Sequence, residues 1–190
     1  MKKKILKDAE GNEVNITELE SFSSMDELVN NPEEAIRRVD QEVEDDQRLD
    51  DLASRIIPLF TKAGDEDRTA IYWQIGEVIN SYEKKLPKRN VRESWLMKSN
   101  ILERLAQKID RKGLSRLHLE EMILFNGSWK LSDINEKISW SFYAELAIKA
   151  KRIDRRILKR LENQISSGQI TDHKSLRNAL EKYISKEKMI

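Results

Sequence analysis

The sequence predicts a mainly α-helical protein, and three observations carry that expectation. Charged residues occupy 36% of the 190 positions and hydrophobic ones 38%, a balance that suits solvated helices better than a sandwich or barrel. Only three prolines and six glycines punctuate the chain. Apolar residues recur at three- and four-residue spacing through most of it, as amphipathic helices require. The expected architecture is a helical bundle with a helix-turn-helix-like element and a small N-terminal β-hairpin.

The hairpin is read from the alternation Lys3, Ile5, Lys7, the turn Glu10-Gly11-Asn12, and the returning Val14 and Ile16; glycine supplies the positive φ such turns need. Ser24-Met25-Asp26-Glu27 has the form of a capping box, and Asn31-Pro32-Glu33-Glu34 places an acceptor, a proline and two acids where a helix begins. From Pro32 the positions Ile36, Val39, Val43, Leu49, Leu52, Ala53 and Ile56 keep helical spacing up to Pro58, as one helix or as two broken at Glu44-Asp45-Asp46. A further stripe of Ile71, Tyr72, Ile75, Val78, Ile79 and Tyr82 predicts a helix from Asp65 that ends before Pro87. Another runs from about Glu93 through Trp95, Leu102, Leu105, Ala106 and Ile109 and stops at Arg111-Lys112-Gly113, where glycine suits a left-handed cap. Shorter helices follow: Ser115 to about Phe125, closed by an Asn126-Gly127 turn; Ile138 through Lys151; Asp154 to Ser166; and Asp172 to Ser185, the last two joined around Ser167-Gly168-Gln169. Trp73, Trp95, Trp129 and Trp140 are read as core residues, with Trp73 off the main stripe of its helix beside Gly76 and facing a second neighbour or a partner subunit.

Charge is distributed unevenly. The net charge is +1, yet the first 60 residues hold 16 acidic against 8 basic side chains and the remainder 18 against 27, giving −8 and +9. With Pro58 and the polar run from Lys62 to Asp67 as the break, the expected division is an acidic extension over 1–64 and a basic helical domain over 65–190. Such asymmetry fits a nucleic-acid-binding body with a partner-binding or self-shielding arm.

Other classes have less support. With no cysteine there is neither a disulfide framework nor a thiolate metal site. Met1-Lys2-Lys3-Lys4 is not followed by an apolar run, and no stretch approaches the roughly 18 apolar residues of a membrane span; a soluble, cytoplasmic protein with no membrane partner is expected. Only His118 and His173 are present, and no phosphate loop or serine elbow occurs, so no catalytic residue, metal or cofactor is expected. Glu83-Lys84-Lys85 matches half of a restriction-type nuclease site, but at the end of a helix rather than on a strand.

The candidate binding residues are basic and helical. Between Arg152 and Ile165, the side chains of Arg152, Arg155, Arg156, Lys159 and Arg160 fall on one side and Ile153, Ile157, Leu158, Leu161 and Ile165 on the other, at about 100° per residue. With Lys151, this stripe can neutralise a row of phosphates. Asn100 to Phe125 reads as a helix-turn-helix whose turn offers Arg111 and Lys112 and whose second helix presents Ser115, Arg116 and His118. The closing pair offers Lys174 and Arg177 at the start of its second helix. The competing expectation is an interaction protein, a homo-oligomer or subunit whose acidic segment, residues 32–60, docks a partner.

Four segments in succession also resemble a known family: Ile71-Tyr72-Trp73-Gln74-Ile75-Gly76-Glu77-Val78-Ile79; Ile101-Leu102-Glu103-Arg104-Leu105-Ala106; Gly113-Leu114-Ser115-Arg116-Leu117-His118-Leu119-Glu120-Glu121-Met122; and Ile138-Ser139-Trp140-Ser141-Phe142-Tyr143. Their order and spacing resemble the N-terminal domain of the YhcG-type PDDEXK nucleases, over about residues 70 to 180. The resemblance implies a helical domain serving DNA binding or assembly, often in mobile-element or defence systems. Phe142 stands where that family usually has histidine, and the sequence carries no nuclease half, so the resemblance does not imply cleavage. The closing helices are also similar, more loosely, to the helical DNA-binding part of ParB-like partition proteins.

Overall fold

The computed structural model describes residues 5–7, 13–15, 32–62, 68–86 and 100–187. The expected turn Glu10-Gly11-Asn12, the capping box at Ser24, the cap Asn31 and the stretch from Glu93 through Trp95 lie outside them. Two short strands, β1 (Ile5–Lys7) and β2 (Glu13–Asn15), pair antiparallel with Leu6 opposite Val14. Among the described residues, everything else that is regular is helical: α1 (Pro32–Lys62), α2 (Arg68–Lys85), α3 (Ile101–Ile109), α4 (Arg116–Ser128), a 3₁₀ turn at Leu131–Asp133, α5 (Trp140–Ala150), α6 (Arg155–Ser166) and α7 (His173–Glu187). A mainly α-helical bundle is what the composition predicted.

Backbone contacts divide the chain into Met1–Arg48 and Leu49–Ile190, rather than at residue 64. The reason is α1 itself. Neither Glu44-Asp45-Asp46 nor Pro58 breaks it, and its second half buries Leu49, Leu52, Ala53, Ile56 and Phe60 in one core with Ile71, Ile75, Ile79, Ile101, Leu105 and Met122. Pro58 removes one backbone bond, to the Ser54 carbonyl, but both residues lie on the exposed side where water accepts the loss. In the first unit Glu44 and Asp45 are held within the helix: Arg48 pairs with both, and Gln41 donates to buried Asp45 at 3.0 Å.

Helix α4 is the centre of the second unit, packed on α2, α3 and α5. The α2 face toward it carries Trp73, Gly76 and Asn80, spaced by three and four residues as one helix face requires. Trp73 Nε1 donates to the Trp129 carbonyl at 2.7 Å, and Asn80 Nδ2 donates to the Ile123 carbonyl at 3.2 Å and to Asn126 Oδ1 at 2.7 Å. Between them, a Cβ on Gly76 would lie 2.1 Å from the Met122 carbonyl oxygen. Trp73 thus finds its second neighbour within the chain. A second core gathers Phe125, Trp129, Ile138, Tyr143, Leu146, Leu158, Leu161, Ile165, Leu176 and Leu180, joining α4 to α5, α6 and α7. Trp140 spans both cores, 4.9 Å from Tyr72 and 5.4 Å from Phe125 between ring centroids.

Helix α3 runs from Ile101, behind Asn100 in a left-handed conformation with φ 76°, and the expected start near Glu93 lies outside the described residues. One boundary differs from the sequence expectation. Helix α4 runs through Asn126-Gly127 to Ser128; the turn-prone pair is overridden because Asn126 bonds to Asn80 and Phe125 anchors the second core. Among the described residues, no helix is long and apolar enough to cross a membrane.

Candidate nucleic-acid interface

The basic residues singled out in the sequence fall into three places. Helix α6 begins with Asp154, whose carboxylate accepts the Arg156 amide at 2.7 Å and satisfies one of the open donors of the first turn. Its apolar side buries Leu158, Leu161 and Ile165, and Ile153 is buried just ahead of it, while Arg155, Arg156, Lys159 and Arg160 are exposed. Lys151 and Arg152 extend that exposed surface in the turn after α5.

Within this group the cations divide by partner. Arg155 donates through Nη1 to the Ser128 carbonyl, at the C-terminal end of α4, and through Nη2 to Asp133 at 2.9 Å. A cation at a helix C-terminus answers both the open carbonyls and the negative end of the dipole. Lys159 lies 3.0 Å from Glu162 Oε2, and Glu162, only 2% exposed, accepts the indole N–H of Trp129 on its other oxygen. The side chains of Lys151, Arg152, Arg156 and Arg160 make no hydrogen bond or ion pair among the described residues and are exposed.

The Glu162 arrangement was hidden in the sequence, where it looks like an acid diluting a basic face. Its structural weight gives a direct expectation. Lys159→Gln should cost about 1 kcal/mol of stability by leaving a buried carboxylate with one neutral donor, and Glu162→Ala about 1–3 kcal/mol by orphaning the Trp129 indole. Arg156→Gln and Arg160→Gln should change urea midpoints negligibly.

The second group surrounds the turn between α3 and α4. Asp110 (φ 46°) and Gly113 (φ 83°) both adopt left-handed backbone there, and Ser115 caps α4, accepting the His118 amide. Arg111 donates to the Phe60 carbonyl at 2.7 Å, near the end of α1, and lies over the Phe60 ring at 4.6 Å, so it closes a helix end as Arg155 does. Arg116 is paired with Glu120 at 2.6 Å. Lys112 is exposed and has no partner among the described residues. Leu117, 56% exposed beside Arg116, is an outward apolar residue at the start of α4. The connection from Asp110 to Ser115 is longer than the three or four residues of a tight helix-turn-helix.

The third group sits at the start of α7. Arg177 Nε donates to Glu145 on α5 at 2.6 Å, and His173 Nδ1 meets the other Glu145 oxygen at 2.7 Å with its ring stacked on Phe142 at 4.7 Å. Lys174 is exposed and lies beside the Asp172 carboxylate, which its backbone N–H and its charge help to stabilise. The three groups do not form one cluster. Arg116 and Ser128 mark opposite ends of α4, roughly 18 Å apart at 1.5 Å per residue, and Arg155 is tied to the Ser128 end.

Near the third group, Glu121 of α4 faces a groove of about 520 Å³ that also contains Glu145 and Arg177. Burial pushes its carboxyl above the usual range, with Glu120 adding to the rise and His118 opposing it. A raised folded-state pKa stabilises the fold below the unfolded value, and that contribution is lost as pH rises through the folded one. Glu121→Gln should therefore melt higher than wild type at neutral pH, the difference closing toward pH 4 in a series of thermal melts. Among the described residues, no group of three or more His, Cys, Asp or Glu side chains is placed to hold a metal ion. Glu83 lies in the last turn of α2.

Comparison of the chain with protein-family models, with curated proteins and with solved structures finds no match. The functional reading therefore rests on the residues themselves.

Proposed function

We propose that this chain is a non-enzymatic DNA-binding protein whose main contact with phosphates is the exposed face formed by Lys151, Arg152, Arg156 and Arg160. The observation that carries the reading is that the side chains of these four cations are exposed and lack intramolecular partners among the described residues, while the apolar side of α6, which bears Arg156 and Arg160, is fixed in a core. A rigid helix presenting unpaired cations can take up phosphates and release their counterions without first breaking internal ion pairs. Arg155 and Lys159, each with donors left over, border the same face. The start of α4, with Arg116, Leu117 and His118, and the start of α7, with Lys174, are where base contacts would add to it. The resemblance of residues 70 to 180 to the N-terminal domain of YhcG-type nucleases supports the same role, as a subunit or adaptor of a mobile-element or defence system.

The alternative, partner docking by the acidic segment 32–60, is weakened by how its charges are spent. Glu44 and Asp45 are held by Arg48, Asp51 by Arg55, and Asp50 by Lys108 at 2.6 Å. The experiment that separates the two is a fluorescence-anisotropy titration of a labelled duplex at 50 to 200 mM salt. Four phosphate contacts give a slope of about −3.6 in log K against log salt, a loss of about 150-fold across that range. No binding by the folded protein at the lowest salt would overturn the DNA reading.

A further inference from the structure

The groove between α4, α5 and α7 is independent of the cationic face of α6. Ala144 and Leu180 are buried at its floor, Ile184 is half-buried, and Ile148 at its rim is 44% exposed. An exposed aliphatic side chain next to an apolar hollow has the two halves of a knob-and-hole contact on one surface. The charges around it carry both signs. Glu145 is taken up by His173 and Arg177, whereas the side chains of Lys149 on α5, Glu181 on α7 and Glu121 on α4 line the groove without a hydrogen bond or ion pair among the described residues.

We infer that this groove is a docking surface for a second copy of the chain, related by a two-fold axis that seats Ile148 of each copy in the hollow of the other. An isologous contact must be complementary to itself, and this surface offers an exposed Ile148 beside an apolar hollow together with side chains of both signs. Lys149 of one copy then faces Glu181 of the other, twice over. A foreign partner of one sign would satisfy either the lysine or the glutamates and leave the others unpaired, which an interface resists. Two joined copies would also present two α6 faces to one duplex, as dimeric DNA-binding proteins do.

Sedimentation equilibrium of the full chain, without DNA, tests this over about 1 to 200 μM. The expected result is a reversible monomer–dimer equilibrium whose dissociation constant rises at least tenfold in Lys149→Glu and in Glu181→Lys, and returns toward the wild-type value when both changes are combined. Ile148→Asp, at an exposed position, should give a folded monomer by circular dichroism. A wild-type protein that stays monomeric throughout would overturn the inference. So would a dimer that survives Ile148→Asp, or one that the paired charge reversal does not restore. DNA affinity is read separately, so the dimer and the DNA reading fail independently.

Discussion

Gly76→Ala should abolish most of the stability of the second unit. The added Cβ would lie 2.1 Å from the Met122 carbonyl oxygen, 2.7 Å from its carbonyl carbon and 2.8 Å from Asn126 Cβ. Two of these atoms are backbone of the central helix, so no rotamer change relieves the clash. Overpacking usually costs about 1–3 kcal/mol where side chains can yield; here α2 and α4 must separate, which opens Trp73 Nε1 to Trp129 and Asn80 to Ile123 and Asn126. The gain of about 1 kcal/mol from alanine's helix propensity is too small to compensate. Gly127→Ala, on α4 with nothing within 4 Å of its added Cβ, is the matched control and should gain roughly 0.5–1 kcal/mol. Thermal melts and urea titrations of the pair decide the matter: a Gly76→Ala protein as stable as wild type would mean that α2 and α4 do not approach this closely.

That contact also marks what a single sequence can reveal. Local periodicity was sufficient to place the apolar stripes of α2, α6 and α7, because a stripe such as Ile71, Ile75, Ile79 is a property of one helix in isolation. Features that depend on a distant partner were not legible. Pro58 and Asn126-Gly127 are breakers by local chemistry, yet both lie inside helices held by long-range packing through Ile56 and Phe60 in one case and Phe125 in the other. In the candidate interface, exposure was readable from the pattern but pairing was not. Arg111 and Arg155 look equivalent to Lys112 and Arg156 in the sequence, and only the fold brings the first two onto carbonyls of α1 and α4. Glu162, four residues before the end of α6, reads as a surface acid until Trp129, 33 residues earlier, is placed against it.

The same distinction decides which cations to remove in testing DNA binding. Arg152→Gln/Arg156→Gln/Arg160→Gln should lower the magnitude of the salt slope by about 2.7, since each lost phosphate contact removes about 0.9. Near 0.1 M salt this corresponds to an affinity loss on the order of 10²- to 10³-fold, with no change in melting temperature because none of the three has an internal partner among the described residues. Arg155→Gln/Lys159→Gln is the contrasting pair. Arg155 is committed to Ser128 and Asp133 and Lys159 to Glu162, so these changes should cost stability while reducing the slope by less than two contacts' worth. Anisotropy titrations over 50 to 200 mM salt, with a thermal melt of each variant, separate the outcomes. If the triple variant keeps the wild-type slope, the α6 face does not contact phosphate, and the start of α4, with Lys112 and Arg116, becomes the surface to change next.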